Sequence, residues 1–480
     1  MATISSPGVG SGLDVNSIVT QLVAIERQPI VKLQTQATAL QTKLSAFGKV
    51  QSDLSALRDA ASALTSPSTW NQTTGTSSDA AAIGVTTDAT NRPGSYSVQV
   101  TQLAQAQTNI SGTYASASEL VGEGTLHIEL GTWSDTAFTP NPDATAVDIS
   151  VGPPAQSLAA VRDMVNAANA GITATVLTDA SGARLVFSSS ATGAANGFRV
   201  TVTDADGSNV DASGLSALAY DPSVGVITMG RALAAANAAA LINGAPVSSA
   251  SNTLTNVVDG MTLQFKRVTT DPVQITTASD KDAIRKKIEA FVKAYNDLNS
   301  ELATQTRYDA ASKTAGTLQG DSAAVSLRSN LRNALGGTSA ASSVFTRLAD
   351  IGFDVQRDGT ITLNSSKLDN ALANLGELKK LFANSDTVTP ANNGFATVFR
   401  QFADQAAGVD GSLATRSEGI RDSISRNEKR QAELQTRVDQ VEARLLKQYT
   451  ALDAQMGQMQ SLSNYVTQQM TLLTLNSAKS

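Results

Sequence analysis

The sequence of 480 residues contains no cysteine and a single histidine, and aromatic residues make up only 4% of it. Without cysteine there is no disulfide scaffold, thiol nucleophile, zinc ribbon or iron–sulfur cluster. One histidine leaves almost nothing for a Ser-His-Asp triad or a multi-histidine metal site. We therefore expect a protein that is not an enzyme and that uses no cofactor and no metal.

Long apolar runs and clustered positive charge are also missing. The longest uncharged runs, such as Ala232–Ala250, are broken by Asn, Gly and Pro, so we expect no membrane span. The formal charge of −6 argues against general nucleic-acid binding, which needs clustered Lys and Arg. The first basic residue is Arg27 and no apolar segment follows a basic start. If this protein is exported, we expect no cleaved secretory signal peptide.

The C-terminal region is dominated by a seven-residue repeat that keeps its phase from Ile420 to Val466. A helix over about residues 415–470 would be roughly 80 Å long at ~1.5 Å per residue. The Gln and Asn residues of the repeat, Gln448 and Gln455 among them, are expected in a buried seam between helices, where they lower stability and fix register. A structural helix in an ordinary bundle is the alternative interpretation. The predicted assembly residues of this helix are Ile420, Ile424, Leu434, Val438, Val441, Leu445, Gln448, Leu452, Gln455, Met459, Leu462 and Val466.

The N-terminal region shows a shorter version of the same pattern. Asp14 is a plausible N-cap for a first helical segment, Pro29 separates that segment from the next, and Pro67 ends the second. The second segment has some thirty residues, which is too short to cover the apolar face of the C-terminal helix along its whole length. We therefore expect other copies of the chain to cover that face. The predicted assembly residues here are Leu13, Ile18, Leu22, Ile25, Leu33, Leu40, Phe47 and Leu54.

The middle of the chain alternates apolar and polar residues, which predicts β-strands at 95–101, 125–130, 198–203 and 261–266. A short helix is predicted over 157–169, and Ser279-Asp280 opens another. Its predicted apolar face is Ile284, Ile288, Val292, Tyr295, Leu298 and Leu302. The fold class is therefore α+β and multidomain. We expect long terminal helices that form coiled-coil-like legs and a helical-bundle domain built from both halves of the chain. Antiparallel β-rich head domains are inserted between these helical parts of the sequence.

The net charge also differs between the strand-rich middle of the chain and its helical parts. Residues 78–278 hold 7 basic and 16 acidic residues, a net charge of −9, which leaves +3 for the rest of the chain. The strand-rich head is thus expected to be acidic and the helical part nearly balanced.

Few polar motifs invite a functional interpretation. His127 alternates with Leu126 and Ile128, which predicts a surface histidine. The segment 204–209 resembles the opening of a calcium loop but lacks the expected Glu, and we interpret it as a hairpin turn. Arg357-Asp358-Gly359 is predicted to be a tight turn.

Several segments, in a fixed order, resemble the flagellar hook-associated protein 2 family, the filament-capping proteins of bacterial flagella. The resemblance covers about residues 8–108 and 240–470, and the interval 109–239 matches nothing recognisable. The segments are Gly10–Pro29, Ile242-Asn243-Gly244, Ser251-Asn252-Thr253, Gly260-Met261-Thr262-Leu263, Phe291-Val292-Lys293-Ala294-Tyr295-Asn296, Leu318-Gln319-Gly320-Asp321, Ile351-Gly352-Phe353 with Asp358-Gly359-Thr360, and Gly411-Ser412-Leu413.

The resemblance implies a structural cap at the distal filament tip that promotes folding and insertion of exported flagellin, prevents its loss and is required for elongation and motility. Implied partners are further copies in a ring, usually described as a pentamer, flagellin, filament-tip and hook–filament junction proteins, and an export chaperone for the C-terminal helix. Nucleic acid and a membrane span are not implied. Export is expected through the flagellar type III apparatus, to the extracellular filament tip.

The corresponding domain division has five parts. Residues 1–33 form a flexible N-terminal leg segment, and 413–480 form a C-terminal coiled-coil leg. Residues 34–77 with 279–412 form a helix-rich domain, and 78–108 with 238–278 form a β-rich head. Residues 109–237 form an outer, variable β-rich head.

Two alternatives remain open from the sequence alone. A secreted adhesin would bind mucin or host surfaces through the acidic head. A flagellin or junction protein would share the terminal helices and the lack of cysteine, although the ordered motifs between 242 and 360 speak against it.

Overall fold

The computed structural model describes residues 14–154 and 156–477, which fall into two compact units. A helical unit comprises Met1–Ser66 and Arg285–Ser480, and a strand-rich unit comprises Pro67–Ile284. Long helices near both ends of the chain, with antiparallel sheets between them in the sequence, confirm the predicted α+β class. The helices are α1 Val15–Thr65, α2 Pro67–Trp70, α3 Leu158–Ala168, α4 Lys281–Thr306, α5 Ser322–Gly336, α6 Ser365–Leu372, α7 Leu375–Ala383, α8 Phe395–Ala407 and α9 Ser412–Ser477.

The strands of the strand-rich unit form four antiparallel sheets, and two short hairpins lie in the helical unit. The strands are β1 Thr73–Ser77, β2 Ile83–Thr87, β3 Gly94–Gln102, β4 Thr108–Ile110, β5 Gly124–Ser134, β6 Ala137–Pro140, β7 Val147–Val151, β8 Ile172–Asp179, β9 Gly182–Ser189, β10 Gly197–Asp204, β11 Gly230–Leu233, β12 Ala238–Ile242, β13 Ala245–Ser249, β14 Thr253–Val258, β15 Met261–Phe265, β16 Val273–Ser279, β17 Tyr308–Asp309, β18 Thr314–Ala315, β19 Phe353–Val355 and β20 Ile361–Leu363.

The first helix, α1, is one continuous element of 51 residues, with Pro29 inside it. Asp14 caps it as predicted, because its Oδ1 accepts a hydrogen bond from Ser17 N at 2.9 Å. The expectation of two separate segments is wrong. Proline removes one backbone donor from a helix, and the carbonyl it leaves free belongs to Ile25, which is 61% exposed and open to water. Packing along the rest of the helix outweighs that local loss.

The helical unit is centred on α4, whose six predicted apolar residues are all buried. Asp280 caps it, since its Oδ1 accepts from Ala283 N at 2.8 Å. Phe291 lies beside the rings of Phe353, Phe382 and Phe399, with centroids 5.2–6.4 Å apart. The hairpin β19–β20 turns at Gly359, where φ is +87°, which confirms the predicted tight turn.

Acid titration should weaken the helical unit through Glu377 in α7. Its carboxylate accepts from Lys380 Nζ at 2.7 Å, and from Ser342 Oγ and Ser343 N at 2.8 Å each. These bonds lower the pKa of Glu377 from 4.5 to about 2, so its contribution is present above the unfolded-state pKa and disappears as pH falls through the folded-state value. Urea unfolding from about pH 5 to about pH 2 should show a smaller loss of stability for Glu377→Gln than for wild type. Equal losses would contradict this assignment.

In the strand-rich unit, one sheet has the strand order β1-β16-β3-β12-β13 and a second has β14-β15-β2. Residues between Ala82 and Ile275 in these two sheets share one hydrophobic core. The other two sheets are β10-β5-β6, with β7 also on β5, and β11-β4-β9-β8. With α3 they enclose a second core, drawn from residues 121–229. The interval that resembles nothing recognisable therefore has a hydrophobic core of its own.

Most local predictions for this unit are confirmed. The four predicted strands are present, and Ser157 caps α3, whose Leu158, Val161 and Val165 are buried. The His127 side chain is 40% exposed, and its Nδ1 lies 2.5 Å from Asp148 Oδ1.

The segment 204–209 contains a turn as predicted, since Gly207 N donates to Asp204 O at 3.2 Å, but the turn does not lead directly into a second strand. The buried Asp204 carboxylate accepts from the backbone N and Oγ of Ser216, at 2.8 and 2.7 Å. These bonds hold the chain after β10 in a short 3-10 helix, Gly214–Leu218, before Tyr220 returns to pair antiparallel with Val200 of β10.

A recurring device explains part of the Asn and Gln content. One side-chain amide accepts from the N–H and donates to the C=O of a single residue, as a neighbouring strand would. We call such a pair an amide clamp. The clamps join Gln107 to Phe198, Asn166 to Ala174, Asn252 to Ala104, and Asn296 to Ile361, at 2.7–3.1 Å.

Candidate assembly surface

Helices α1 and α9 pack along each other within the helical unit. The C-terminal half of α1 (Phe47–Leu64) and the start of α9 (Leu413–Ile420) are both buried in the core of this unit. The two helices therefore run antiparallel as they leave it. Their pairing continues to Arg27 Nη2 and Glu442 Oε2, which are 3.5 Å apart. We call residues 14–45 and 421–477 the arm.

The interior of the arm is small and apolar. Val15, Val19, Val23 and Ile30 of α1 are buried with Val438, and Leu434, Leu445, Leu446 and Tyr449 pack against them. Sequence reasoning missed the valine face of α1. The signal was present, because valines at 15, 19 and 23 follow the i, i+4 spacing of one helical face.

The predicted N-terminal residues fall into three groups. Phe47 and Leu54 are fully buried in the core of the helical unit. Ile18, Leu33 and Leu40 are half-buried. Leu22 and Ile25 are 36% and 61% exposed, because they lie about 60° and about 120° around the helix from the centre of the buried valine face. Leu13 lies outside the described residues.

The predicted C-terminal residues change from buried to exposed along α9. Ile420 and Val438 are buried, whereas Ile424, Leu434, Val441 and Leu445 are half-buried. From residue 448 onward all the predicted residues are exposed: Gln448, Leu452, Gln455, Met459, Leu462 and Val466. Buried or half-buried positions shift instead to Leu446, Tyr449 and Asp453. A straight helix with 3.6 residues per turn drifts away from a strict seven-residue repeat.

Two expectations about the arm therefore need correction. A short N-terminal helix was expected to leave most of the apolar face of the C-terminal helix exposed. Instead, the 51-residue α1 packs on α9, and the buried positions of α9 continue to Asp453. Gln448 and Gln455 were expected in a buried seam, and both are exposed. Among the described side chains, those at 458–472 are all exposed.

Several apolar residues of the two helices that are not buried lie on one side of the arm, whereas Val31, Tyr465 and Leu472 are exposed elsewhere on it. Successive residues of an α-helix are rotated by 100° about the helix axis. By this count, the residues of this side lie on average about 100° around each helix from the face that contacts the other helix. Because the helices are antiparallel, these two rotations bring both sets to the same side. We call the half-buried Ile18 and the exposed residues of this side the outer strip: Ile18, Leu22, Ile25, Leu452, Met459, Leu462 and Val466.

The outer strip has the properties of a contact surface. Met459, Leu462 and Val466 are 64%, 62% and 48% exposed, and no charged residue occurs from 454 to 477. A large apolar surface open to water is typical of sites that bind other protein surfaces.

An ion pair with a buried carboxylate ties the base of α9 to the helical core. Arg416 Nη2 and Nε of α9 each lie 2.8 Å from Asp321 Oδ2, and that carboxylate is only 4% exposed. Asp321 also caps α5, because its side chain accepts from Ala323 N. One residue of the segment 318–321 therefore fixes both α5 and the base of α9.

A two-helix arm whose apolar strip is open to water among the described residues, joined in one chain to antiparallel sheets, is typical of a self-assembling structural protein. The chain belongs to the flagellar hook-associated protein 2 family. The family's N-terminus profile, "Flagellar hook-associated protein 2 N-terminus", matches residues 11–107, and the profile "Flagellar hook-associated protein 2 C-terminus" matches 235–461. The resemblance drawn from the sequence is confirmed.

Individual relatives span nearly the whole chain. The A-type flagellar hook-associated protein 2 of Pseudomonas aeruginosa is 30% identical over 97% of both chains. Flagellar hook-associated protein 2 of Escherichia coli K12 is 30% identical over 98% of both. A crystal structure of the flagellar cap protein FliD D1-D2-D3 domains from Escherichia coli matches with a TM-score of 0.61 and 26% identity. It covers 78% of this chain and 99% of that chain. These similarities do not support the adhesin alternative.

Among the described residues, no helix is both long and apolar enough to cross a lipid bilayer.

Proposed function

We propose that this protein is the structural cap at the distal tip of a bacterial flagellar filament. It promotes folding and insertion of exported flagellin, prevents the loss of flagellin subunits, and is required for filament elongation and motility. The outer strip is the observation that carries this proposal, because a cap must hold copies of itself and filament subunits through surfaces left open in a single chain. Its work is binding and templated folding, so no catalytic residue is assigned.

The partners of the cap follow from the same proposal. Further copies of the chain form a ring, a pentamer, and the ring contacts flagellin at the filament tip and junction proteins where the filament meets the hook. Export occurs through the flagellar type III apparatus. An export chaperone covers the C-terminal helix before assembly, since that helix exposes apolar residues from Leu452 onward.

The five-part domain division is part of the proposal as well. Two separate hydrophobic cores in the strand-rich unit support a head built from 78–108 with 238–278 and an outer head at 109–237. The arm includes only part of the proposed leg segments 1–33 and 413–480. The helical core comes from the proposed helix-rich domain, residues 34–77 with 279–412.

The polar gaps in the outer strip should limit how tightly the arms bind. Gln448 and Gln455 are exposed on the same side of α9 as Leu452. Replacing both with Leu would bury more apolar surface when arms associate, by roughly 1.5–3 kcal/mol for each side chain. We expect stronger self-association in sedimentation velocity and slower filament growth. Stronger association with unchanged growth would show that mobile contacts are not needed.

A strain that lacks this protein tests the function directly. We expect intact hooks, no filaments, non-motile cells and flagellin monomers in the medium. Normal filaments on the mutant cells would overturn the proposal.

A further inference from the structure

A small cavity of about 230 Å³ opens in the helical unit between the C-terminal end of α5 and the turn of the β19–β20 hairpin. The cavity is lined by Tyr295 of α4, Arg332 of α5 and Arg357 of the turn. It is also lined by Val355, which is 56% exposed. The cavity thus combines a tyrosine, two arginines and an exposed apolar side chain.

The hydroxyl of Tyr295 is buried and has no hydrogen-bond partner among the described residues. The whole side chain is 0% exposed, and burial raises the pKa of Tyr295 to about 12, against a smaller opposing effect of the Arg332 charge. The group is therefore protonated at neutral pH and can donate a hydrogen bond. A buried hydroxyl left unpaired costs about 1–3 kcal/mol, so its position calls for an acceptor.

The positive charges around the cavity are not paired with a carboxylate at contact distance. In the described part of the chain, neither Arg332 nor Arg357 has a carboxylate within 4 Å. Arg332 Nη2 donates to the backbone O of Asp358 at 2.8 Å. The nearby Asp358 carboxylate accepts instead from Thr360 N and Oγ1.

A third arginine adds to this imbalance. Arg328 precedes Arg332 by one turn of α5, and burial, with a smaller effect of the Arg332 charge, lowers the pKa of Arg328. Like charges at i, i+4 destabilise a helix. An anion bound at Arg332 would relieve this repulsion.

We propose that the cavity is a binding site for a carboxylate presented by a protein chain, either an Asp or Glu side chain or a C-terminal carboxylate. The Arg332 and Arg357 guanidinium groups supply planar donors that match carboxylate geometry, and the Tyr295 hydroxyl donates a further hydrogen bond. Val355 contacts the apolar part of the bound segment. This site is independent of the outer strip and of the proposed cap function.

Charge indicates which protein supplies the carboxylate. Residues 78–278 carry a net charge of −9, while the rest of the chain carries +3. The acidic strand-rich unit of a second copy is therefore the favoured source, and another protein of the filament would offer the same chemistry.

Fluorine NMR of the full-length protein labelled with 3-fluorotyrosine tests the site. The Tyr295 resonance is identified by its loss in Tyr295→Phe, and the probes are N-acetylglutamate amide and the matched N-acetylglutamine amide. We expect a saturable shift with the glutamate probe and none with the glutamine probe. The apparent affinity should fall at least tenfold in Arg332→Gln and in Arg357→Gln. An equal response to both probes, no response to either, or unchanged affinity in both variants would overturn the proposal.

Sedimentation velocity identifies the source of the carboxylate. Arg357 lies in an exposed turn, so Arg357→Glu should leave the fold intact, which circular dichroism verifies. A self-association constant reduced several-fold would assign the carboxylate to a second copy. An unchanged constant, together with glutamate binding in the NMR experiment, would overturn that assignment in favour of another protein.

Discussion

Replacing Met459 and Leu462 with Asp is expected to abolish filament growth without unfolding the protein. Both side chains are more than 60% exposed, so the substitutions remove no buried contact within the chain. They place two charges in the middle of an uncharged apolar strip, and any surface that buries the strip would have to desolvate those charges. Motility and electron microscopy of a complemented deletion strain measure the effect.

The matched control is Ser461→Asp with Gln468→Asp. Both positions are exposed and lie on the opposite side of α9, so the change in charge is identical and only the face differs. The control should restore filaments. Filaments of normal length in the Met459/Leu462 variant, or equal loss in both variants, would refute the role of the outer strip.

The largest loss of stability is expected from Asn296→Asp. The Asn296 amide accepts from Ile361 N at 2.7 Å and donates to Ile361 O at 2.8 Å, which fastens the hairpin β19–β20 to α4. Aspartate keeps the acceptor but sets a carboxylate against the carbonyl of Ile361. We expect the helical unit to lose about 2–4 kcal/mol of unfolding free energy.

Urea unfolding at neutral pH measures that loss. Asn330→Ala provides the control, since Asn330 is an exposed asparagine on a helix of the same unit, and its replacement should change stability by less than about 0.5 kcal/mol. If Asn296→Asp and the control were equally stable, the amide clamp would have no energetic role.

The sequence predicts a helix well where the hydrophobic periodicity and a capping residue indicate the same element. The face of α4 repeats every three to four residues behind a capping Asp280, and all six predicted residues are buried. The strands were predictable for the same reason, because apolar alternation such as Leu126 and Ile128 has no competing interpretation.

The arm was harder because α1 carries two apolar faces. Ile18, Leu22 and Ile25 form one, and Val15, Val19 and Val23 form the other, displaced by about 100°. Periodicity alone cannot tell which of them meets α9, since that choice depends on the partner helix. Pro29 added a local signal for a break that long-range packing overrode.

The amide clamps and the arginine-lined cavity lie beyond sequence patterns altogether. Asn296 and Ile361 are 65 residues apart, and Gln107 and Phe198 are 91 apart. Nothing in the local sequence marks either amide as a substitute for a strand. Such contacts depend on the finished topology.

The location of the protein on the flagellum tests the central claim most directly. Because the chain has no cysteine, Ala180→Cys in the exposed turn between β8 and β9 supplies one unique thiol for a maleimide–gold label. In a deletion strain complemented with this variant, we predict gold at the free end of each filament and nowhere along its length. Label spread along the filament, or confined to its base near the hook, would contradict the account.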